Sequence, residues 1–360
     1  MSLERIILVP GSIELVSSKD ELNYQEVLDD FPNAEYIFVT TYNISAKRNY
    51  LLDLLKDSAE HAEVRIVTNI PNHYDTYYSD SAREKAKDSI KNYTKRLNSN
   101  EIDGIATFYH FDNHTKIVLT NNIAYIGSAN FSDESMNNRE TGTLIRDPEK
   151  VKLIIENLVP LIEDEGIQYF GDVFNKKQII LSKLLSDMMS ITDSMKEGLF
   201  TYVGRFEENE VYNSRDPYVS PKKLNQLCEI LYEFDEEIND LINVTGHDTF
   251  SESNIISNLE TARNLCEEES PMYELAFFDH QDFACELISD ELSYYDELDK
   301  ATEIASQRAF DRHEELAEAA ESDVNEFYNL IEFITDEIIR FVDELEKLHD
   351  QQQTIDNMKR

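Results

Sequence analysis

The chain has 360 residues, 41% of them hydrophobic, which is enough for two domains that each bury an apolar core. Three widely separated cysteines without a CxxC pair argue against a disulfide framework or a zinc ribbon, and they predict a cytoplasmic protein with reduced thiols. Neither a signal peptide nor an 18-residue apolar stretch is present, so we expect no membrane association. The formal net charge of −40 is uneven: residues 1–150 carry 16 Lys/Arg against 24 Asp/Glu, and residues 151–360 carry 17 against 49.

Apolar runs and helical spacings alternate through the first 110 residues. Strands are predicted at 6–9, 34–41, 64–68 and 105–109, with helices at 21–28, 50–59 and 81–98. This β-α-β-α order predicts an α/β sandwich with a mostly parallel or mixed sheet. The polar loops 42–48 and 69–78 follow strands, at the edge where such folds build their sites.

The predicted helix at 81–98 is cationic in an otherwise acidic chain. Lys87, Lys91 and Lys95 recur every four residues and therefore line one stripe, with Arg83 at its start. Such a stripe predicts a track for a nucleic-acid backbone, and Lys47 and Arg48 form a smaller second patch. An ordinary solvated helix face is the alternative.

The stretch from 114 to 130 carries the chemistry. His114-x-Lys116 is followed by Gly127-Ser128-x-Asn130, and alternating polarity around a central Asn-Asn turn predicts a β-hairpin. A neutral imidazole can attack a phosphodiester, while the lysine and asparagine hold the oxygens on which charge builds. A second histidine must protonate the leaving oxygen, and no metal or cofactor is needed for these roles.

This spacing resembles the HxK…GSxN signature of the phospholipase D superfamily, and most of all its nuclease members. The resemblance implies that His114 acts as nucleophile or acid and that Lys116 and Asn130 bind phosphate. Ser128 supports the site, as does Glu140, a downstream acid that could orient His114 by hydrogen bonding. Asn121 stands where the family has an aspartate, and the hairpin is one residue shorter than the family pattern.

After Asp147-Pro148-Glu149, a helix-start signal, the composition becomes helical and acidic. We predict a phospholipase D-like catalytic domain at 1–147, a helical connector at 148–220 that ends in a loop from 198, and an acidic helical bundle or coiled-coil-like domain at 221–360. Apolar residues from Phe327 to Leu348 step by three or four, as in long packed helices. The fold class is therefore α/β, followed by an all-α acidic domain with long helices.

The acidic half admits three interpretations. It could be a solvated bundle that dimerises or packs on the catalytic domain, a surface that mimics nucleic acid, or a docking surface for a helicase or ATPase partner. Nothing in the sequence decides among them. In each case a surface of this charge repels DNA, so a DNA substrate must approach the N-terminal part.

One HxK motif supplies one histidine, whereas the chemistry requires two at one phosphate. We therefore expect a homodimer in which the two copies of His114 face each other. The predicted function is a metal-independent DNA endonuclease, in antiphage or antiplasmid defence with a partner protein. Two alternatives stay open: a catalytically weak nucleic-acid or protein-binding scaffold on the same fold, and a phospholipid hydrolase, which the net charge disfavours at anionic lipid.

Overall fold

The computed structural model describes residues 4–45, 50–70, 91–97, 104–203, 209–245, 254–295 and 297–359. By internal packing they fall into two units. The first contains the described residues up to 70, those from 91 to 183 and those from 345 onward, and the second contains those from 184 to 344. Both divisions fall inside helices. The sequence-predicted boundaries at 147 and 220 stay predictions.

A nine-stranded sheet forms the centre of the first unit. Its strands are β1 (Glu4–Val9), β2 (Ile13–Ser18), β3 (Tyr36–Thr41), β4 (Glu63–Thr68), β5 (Ile105–Tyr109), β6 (Ile117–Thr120), β7 (Ala124–Gly127), β8 (Glu140–Ile145) and β9 (Ile167–Gln168). Their spatial order is β1-β2-β8-β7-β6-β3-β4-β5-β9. The β3-β4 and β4-β5 pairs are parallel and the other pairs are antiparallel. The expected mixed α/β sheet is confirmed.

Successive side chains of the central strands enter two different cores, because they point to opposite faces of the sheet. Val39 of β3 joins a core with residues of helices α1 (Gln25–Asp30) and α2 (Tyr50–Ser58). Phe38 joins the other core, with residues of helices α3 (Pro148–Asn157) and α4 (Val159–Asp164). The apolar run of β3 is thus buried on both faces, which is why its sequence does not alternate.

Several elements differ from the sequence predictions. Strands β2 and β8 were not expected, and the helix predicted at 21–28 begins only at Gln25. The amphipathic stretch after 148 is two helices, since Pro160 lies in the first turn of α4 and has no N–H to continue α3. Of the cationic helix predicted at 81–98, the structure describes residues 91–97, and 91–96 are helical.

Helices dominate the rest of the chain. They are α5 (Val173–Leu199), α6 (Pro221–Thr245), α7 (Ile255–Asn264), α8 (Pro271–Phe277), α9 (His280–Tyr295) and α10 (Leu298–Lys359). The region predicted as a loop from 198 contains a hairpin of β10 (Phe200–Val203) and β11 (Asn209–Tyr212). Helix α10 has 62 residues and therefore extends roughly 90 Å. None of the helices described here is long and apolar enough to cross a membrane.

The predicted apolar stripe of α10 is its buried face. The buried members are Phe327, Ile331, Ile334, Ile338, Phe341 and Leu345. Toward the start of the helix small residues replace them, because Ala301, Ala305 and Ala309 are also buried. The prediction of a helical C-terminal region with long helices is confirmed.

Candidate active site

His114 and Lys116 lie in the extended segment that leads into β6. Asn113 fixes this segment from both sides: its side-chain amide donates to Thr40 Oγ1 at 2.6 Å, and its Oδ1 accepts from the backbone N–H of Thr115 at 2.9 Å. Asn113 is buried. The sequence before β6 is therefore anchored to β3, and the direction of the two candidate side chains is set by the backbone.

His114 and Lys116 are in direct contact. Lys116 Nζ lies 3.0 Å from His114 Nδ1 and donates to the backbone carbonyl of His114 at 2.6 Å. The imidazole is exposed, whereas Lys116 is only 8% exposed. A charged Lys116 donates to Nδ1, which leaves the ring proton on Nε2. In this tautomer the lone pair of the ring is on Nδ1 and the proton is on Nε2.

Burial lowers the pKa of Lys116, and the nearby negative charge of Glu140 partly opposes this shift. Glu140 is thus close enough to act electrostatically on the lysine although it begins a different strand. The ammonium is a poorly solvated charge, which an incoming phosphate oxygen would stabilise.

Ser128 and Glu140 form a second direct contact. The Ser128 hydroxyl donates to the Glu140 carboxylate and accepts from the backbone N–H of Thr141 at 3.0 Å. The sequence suggested that Glu140 orients His114 by a hydrogen bond. In the structure that carboxylate accepts a hydrogen bond from Ser128, and Nδ1 of His114 faces Lys116 instead. Glu140 therefore acts on Lys116 through its charge.

Asn130 is held by its backbone. Its carbonyl accepts from the hydroxyls of Tyr24 and Ser135, both at 3.0 Å, and its side-chain Oδ1 lies 3.5 Å from Thr41 Oγ1. The amide NH₂ of Asn130 has no acceptor within the part of the chain that the structure describes. This NH₂ group could donate a hydrogen bond to a phosphate oxygen.

Tyr42, which sequence reasoning did not select, lies beside the histidine. Its ring centroid is 5.2 Å from that of His114 at an angle of 54°, and Lys116 Nζ lies 5.8 Å from the Tyr42 centroid. The residue follows β3, in the loop 42–48 that the sequence analysis placed at the functional edge of the sheet. The sequence signal that could have identified Tyr42 is an aromatic residue directly after a central parallel strand.

Gly127 and Gly142 face each other across β7 and β8, and Tyr125 explains both. A Cβ on either glycine would collide with the Tyr125 ring or hydroxyl, and one on Gly127 would also meet the carbonyl of Thr141. Tyr125 is fully buried. These glycines therefore make room for a core tyrosine beneath the site hairpin.

Asn121 lies at the far end of β6 from Lys116. Its Oδ1 accepts from the backbone N–H groups of Glu35 at 2.9 Å and Tyr36 at 3.2 Å, where β3 begins. Its Nδ2 donates to Asn122 Oδ1 at 3.0 Å. At the position of the family aspartate this chain thus has a residue that joins two central strands.

We expect Asn121→Ala to lower the free energy of unfolding by about 1–2 kcal/mol, because two backbone donors lose their acceptor. Asn121→Asp keeps a carboxylate acceptor and should cost less. Urea denaturation measures both, with Asn157→Ala on the exposed face of α3 as the control. Equal stability of wild type and Asn121→Ala would contradict the role. Activity of the folded variants should not change.

Two of the predicted nucleic-acid-binding residues, Lys91 and Lys95, are described and exposed. Arg83, Lys87, Lys47 and Arg48 lie outside the described residues. The segment 91–97 is tied to the loop after β3: Arg96 donates to the carbonyl of Ser45 at 2.5 Å, and the Tyr93 hydroxyl bonds to the backbone of Ile44. The loop that carries Tyr42 and the segment that carries the two lysines are therefore neighbours.

Comparison with known proteins gives a family match for part of the chain. Residues 31–159 match the family described as cardiolipin synthase, PLD-like domain. No curated protein matches the chain.

Solved structures with a similar fold include Nuc from Salmonella typhimurium, a phospholipase D family member, with 17% identity and a TM-score of 0.32 over 44% of this chain and 97% of that one. NucT from Helicobacter pylori has 16% identity and a TM-score of 0.30 over 40% and 89%. Phosphatidylserine synthase from Haemophilus influenzae Rd KW20 has 13% identity and a TM-score of 0.34 over 52% and 48%.

Proposed function

We propose that this chain, whose residues 31–159 belong to the phospholipase D superfamily, is a metal-independent phosphodiesterase that cleaves DNA as an endonuclease. The observation that carries the proposal is the contact between exposed His114 and buried Lys116, with the Ser128–Glu140 pair beside it. This contact places an exposed nucleophile beside a buried ammonium group whose charge water screens poorly.

The proposed reaction has two steps. Nε2 of one His114 attacks phosphorus, and the P–O bond to the leaving group breaks as a second histidine gives that oxygen its proton. Water, deprotonated by the second histidine, then attacks the phosphohistidine and restores the first imidazole. A phosphate oxygen near Lys116 draws the ammonium away from Nδ1 and frees the ring proton to move there, which makes Nε2 the nucleophilic nitrogen.

The second histidine is supplied by a second copy. The chain has one HxK motif, so a complete set of groups needs two copies of His114 about one phosphate. Wild-type and His114→Ala chains, co-expressed in equal amounts with separable tags, should therefore give about one quarter of the wild-type activity, since only wild-type pairs are complete. An activity of about one half would mean that each chain works alone, and would contradict the shared site.

DNA is the proposed substrate because the cationic segment adjoins the site. Exposed Lys91 and Lys95 belong to the segment that Arg96 joins to the Tyr42 loop. The strongest negative charge lies after residue 150, so a polyanion is repelled least at the N-terminal part. Against anionic lipid the net charge of −40 is unfavourable, and we rank phospholipid hydrolysis below DNA cleavage.

We expect Lys91→Glu to weaken DNA binding uniformly across sequences and to reduce the slope of log affinity against log salt by about one. Fluorescence anisotropy with a labelled duplex at several salt concentrations measures both. Lys152→Glu on α3, an equally charged change at an exposed lysine, is the matched control. An unchanged slope in Lys91→Glu would remove this segment from the proposed DNA track.

The acidic helical region is proposed to regulate this activity or to recruit a partner such as a helicase or ATPase, in antiphage or antiplasmid defence in the cytoplasm. Support for this part comes from the charge asymmetry and the long helices. A catalytically weak scaffold is the second candidate, and Asn121 in place of the family aspartate favoured it. Asn121 joins β6 to β3 at the end of the sheet far from His114. Its presence therefore does not argue against catalysis.

The decisive experiment incubates purified protein with supercoiled plasmid and with single-stranded DNA, with and without EDTA. Cleavage that persists in EDTA supports the proposed chemistry. Cleavage that EDTA abolishes would contradict it. If neither DNA is cut while both are bound, the scaffold function replaces the nuclease.

A further inference from the structure

The first strand of the sheet is exposed on both faces although its sequence is apolar. Ile6, Ile7, Leu8 and Val9 of β1 are 58%, 62%, 56% and 44% exposed. A continuous apolar run is typical of a strand that is covered on both faces, as β3 is in this protein. Four consecutive large apolar side chains in water therefore indicate that something else covers β1.

The element that fits the outer edge of β1 is another strand. Strand β1 is at the end of the sheet order and, among the described residues, pairs with β2 alone. Its outer edge presents backbone N–H and C=O groups in the spacing of a ladder. A helix could cover the apolar side chains, but only a strand both continues the sheet and pairs these backbone groups.

The charges around β1 are matched within the chain. Arg5 pairs with Glu14 at 3.1 Å and with Glu26, and Arg146 pairs with the same two carboxylates at 3.1 and 2.7 Å. Glu4 pairs with Arg139 at 3.7 Å. The strand therefore offers no uncompensated charge to a basic or acidic partner. Its complement is a neutral apolar strand, and β1 itself has that character.

We propose that β1 pairs in an antiparallel fashion with β1 of a second copy of this chain, about a two-fold axis at Ile7. In this register Ile7 faces Ile7 and Ile6 faces Leu8, so the three central apolar side chains meet apolar side chains, and Arg5 lies opposite Val9 at the ends of the pair. The interface is isologous, as a two-fold axis requires. Both apolar faces of β1 then become part of one continuous sheet.

This interface differs from the one proposed for catalysis. Four interstrand spacings of about 4.8 Å separate β1 from β6, where the His114 segment enters the sheet. Pairing through β1 places the two β6 strands roughly 40 Å apart, too far for two histidines to reach one phosphate. The β1 interface is therefore independent of the proposed function, and a protein with both interfaces assembles into more than a dimer.

Disulfide trapping tests the register. In the full chain with Cys285→Ser, which removes the exposed cysteine and leaves Cys228 and Cys266 buried, Ile7→Cys is compared with Leu153→Cys. Leu153 is 59% exposed on α3 and is a matched apolar position outside the strand. Under mild copper-phenanthroline oxidation, Ile7→Cys should form a covalent dimer at least about tenfold faster, because pairing raises the local thiol concentration. Equal rates would overturn the proposal.

Sedimentation gives an independent result. Ile7→Asp should lower the mass of the wild-type assembly by a factor of about two, because a buried carboxylate disfavours pairing, whereas Leu153→Asp should not. This decrease is expected whether the wild type is a tetramer or, without the catalytic interface, a dimer. DNA cleavage per chain by Ile7→Asp should equal that of the wild type. An unchanged mass for Ile7→Asp would overturn the β1 interface and leave the proposed function untouched.

Discussion

The His114→Ala protein is expected to lose DNA cleavage by on the order of 10⁴-fold or more, both with and without EDTA. The substitution removes the proposed nucleophile and, in a dimer, the proposed acid as well, so neither step has a substitute group. Conversion of supercoiled plasmid to open and linear forms, followed over hours on gels, has the range to detect this loss.

Two features make this variant interpretable. The imidazole is exposed and lies outside both apolar cores, so its removal leaves the packing of the sheet intact. His61→Ala is the matched control, because His61 is also exposed and its ring contacts only the carbonyl of Phe31 in the described structure. A His114→Ala protein that cleaved at the wild-type rate in EDTA would refute the phosphohistidine route.

Lys116→Met is expected to lower the rate of cleavage by about 10²–10³-fold. Methionine fills much of the lysine's buried volume but supplies no charge to the phosphate oxygens in the transition state. Its effect should appear mainly in kcat, since an interaction that strengthens with developing charge acts on the transition state more than on bound substrate. Single-turnover cleavage of a short labelled duplex measures it, with Lys56→Met on α2 as the control. A wild-type rate for Lys116→Met would exclude the lysine from catalysis.

The lowered pKa of Lys116 also predicts a pH dependence. Because catalysis needs the ammonium, cleavage by the wild type should decline as the pH rises through this lowered pKa, before the usual lysine value of 10.5 is reached. Stability should change in the opposite direction. Above the folded-state pKa the folded protein releases a proton that the unfolded chain still holds, so this group's contribution to stability rises with pH up to about 10.5.

The elements that could be predicted from the sequence are those determined by residues close together in the chain. Strand β3 is an apolar run buried on both faces, strands β4 and β5 are short and rich in buried apolar residues, and the HxK and GSxN residues are recognised by spacing alone. Strand β8 was missed because Gly142 and two threonines weaken its pattern. The reason for that glycine is the Tyr125 ring across the hairpin, which no local window contains.

The contacts of the candidate site were less predictable than its members. Tyr42 meets His114 only because the end of β3 and the start of β6 are neighbours in the sheet. Likewise, the partner of Glu140 proved to be Ser128, since antiparallel pairing of β7 and β8 brings these two residues together. Both contacts depend on strand order, which residue spacing does not specify.

The end of α10 has a consequence for how the chain acquires its structure during synthesis. His349 is 6% exposed: its ring stacks on Phe170 at 4.7 Å between centroids, and its Nδ1 lies 2.6 Å from Asp172. All three residues belong to the first unit, yet about 180 residues of chain separate His349 from Phe170 and Asp172. At translation rates of about 5–20 residues per second, the segment that follows β9 is synthesised roughly 10–40 seconds before the His349 that contacts it. Throughout that interval the apolar strand β1 is already outside the tunnel, where a neighbouring nascent chain could pair with it.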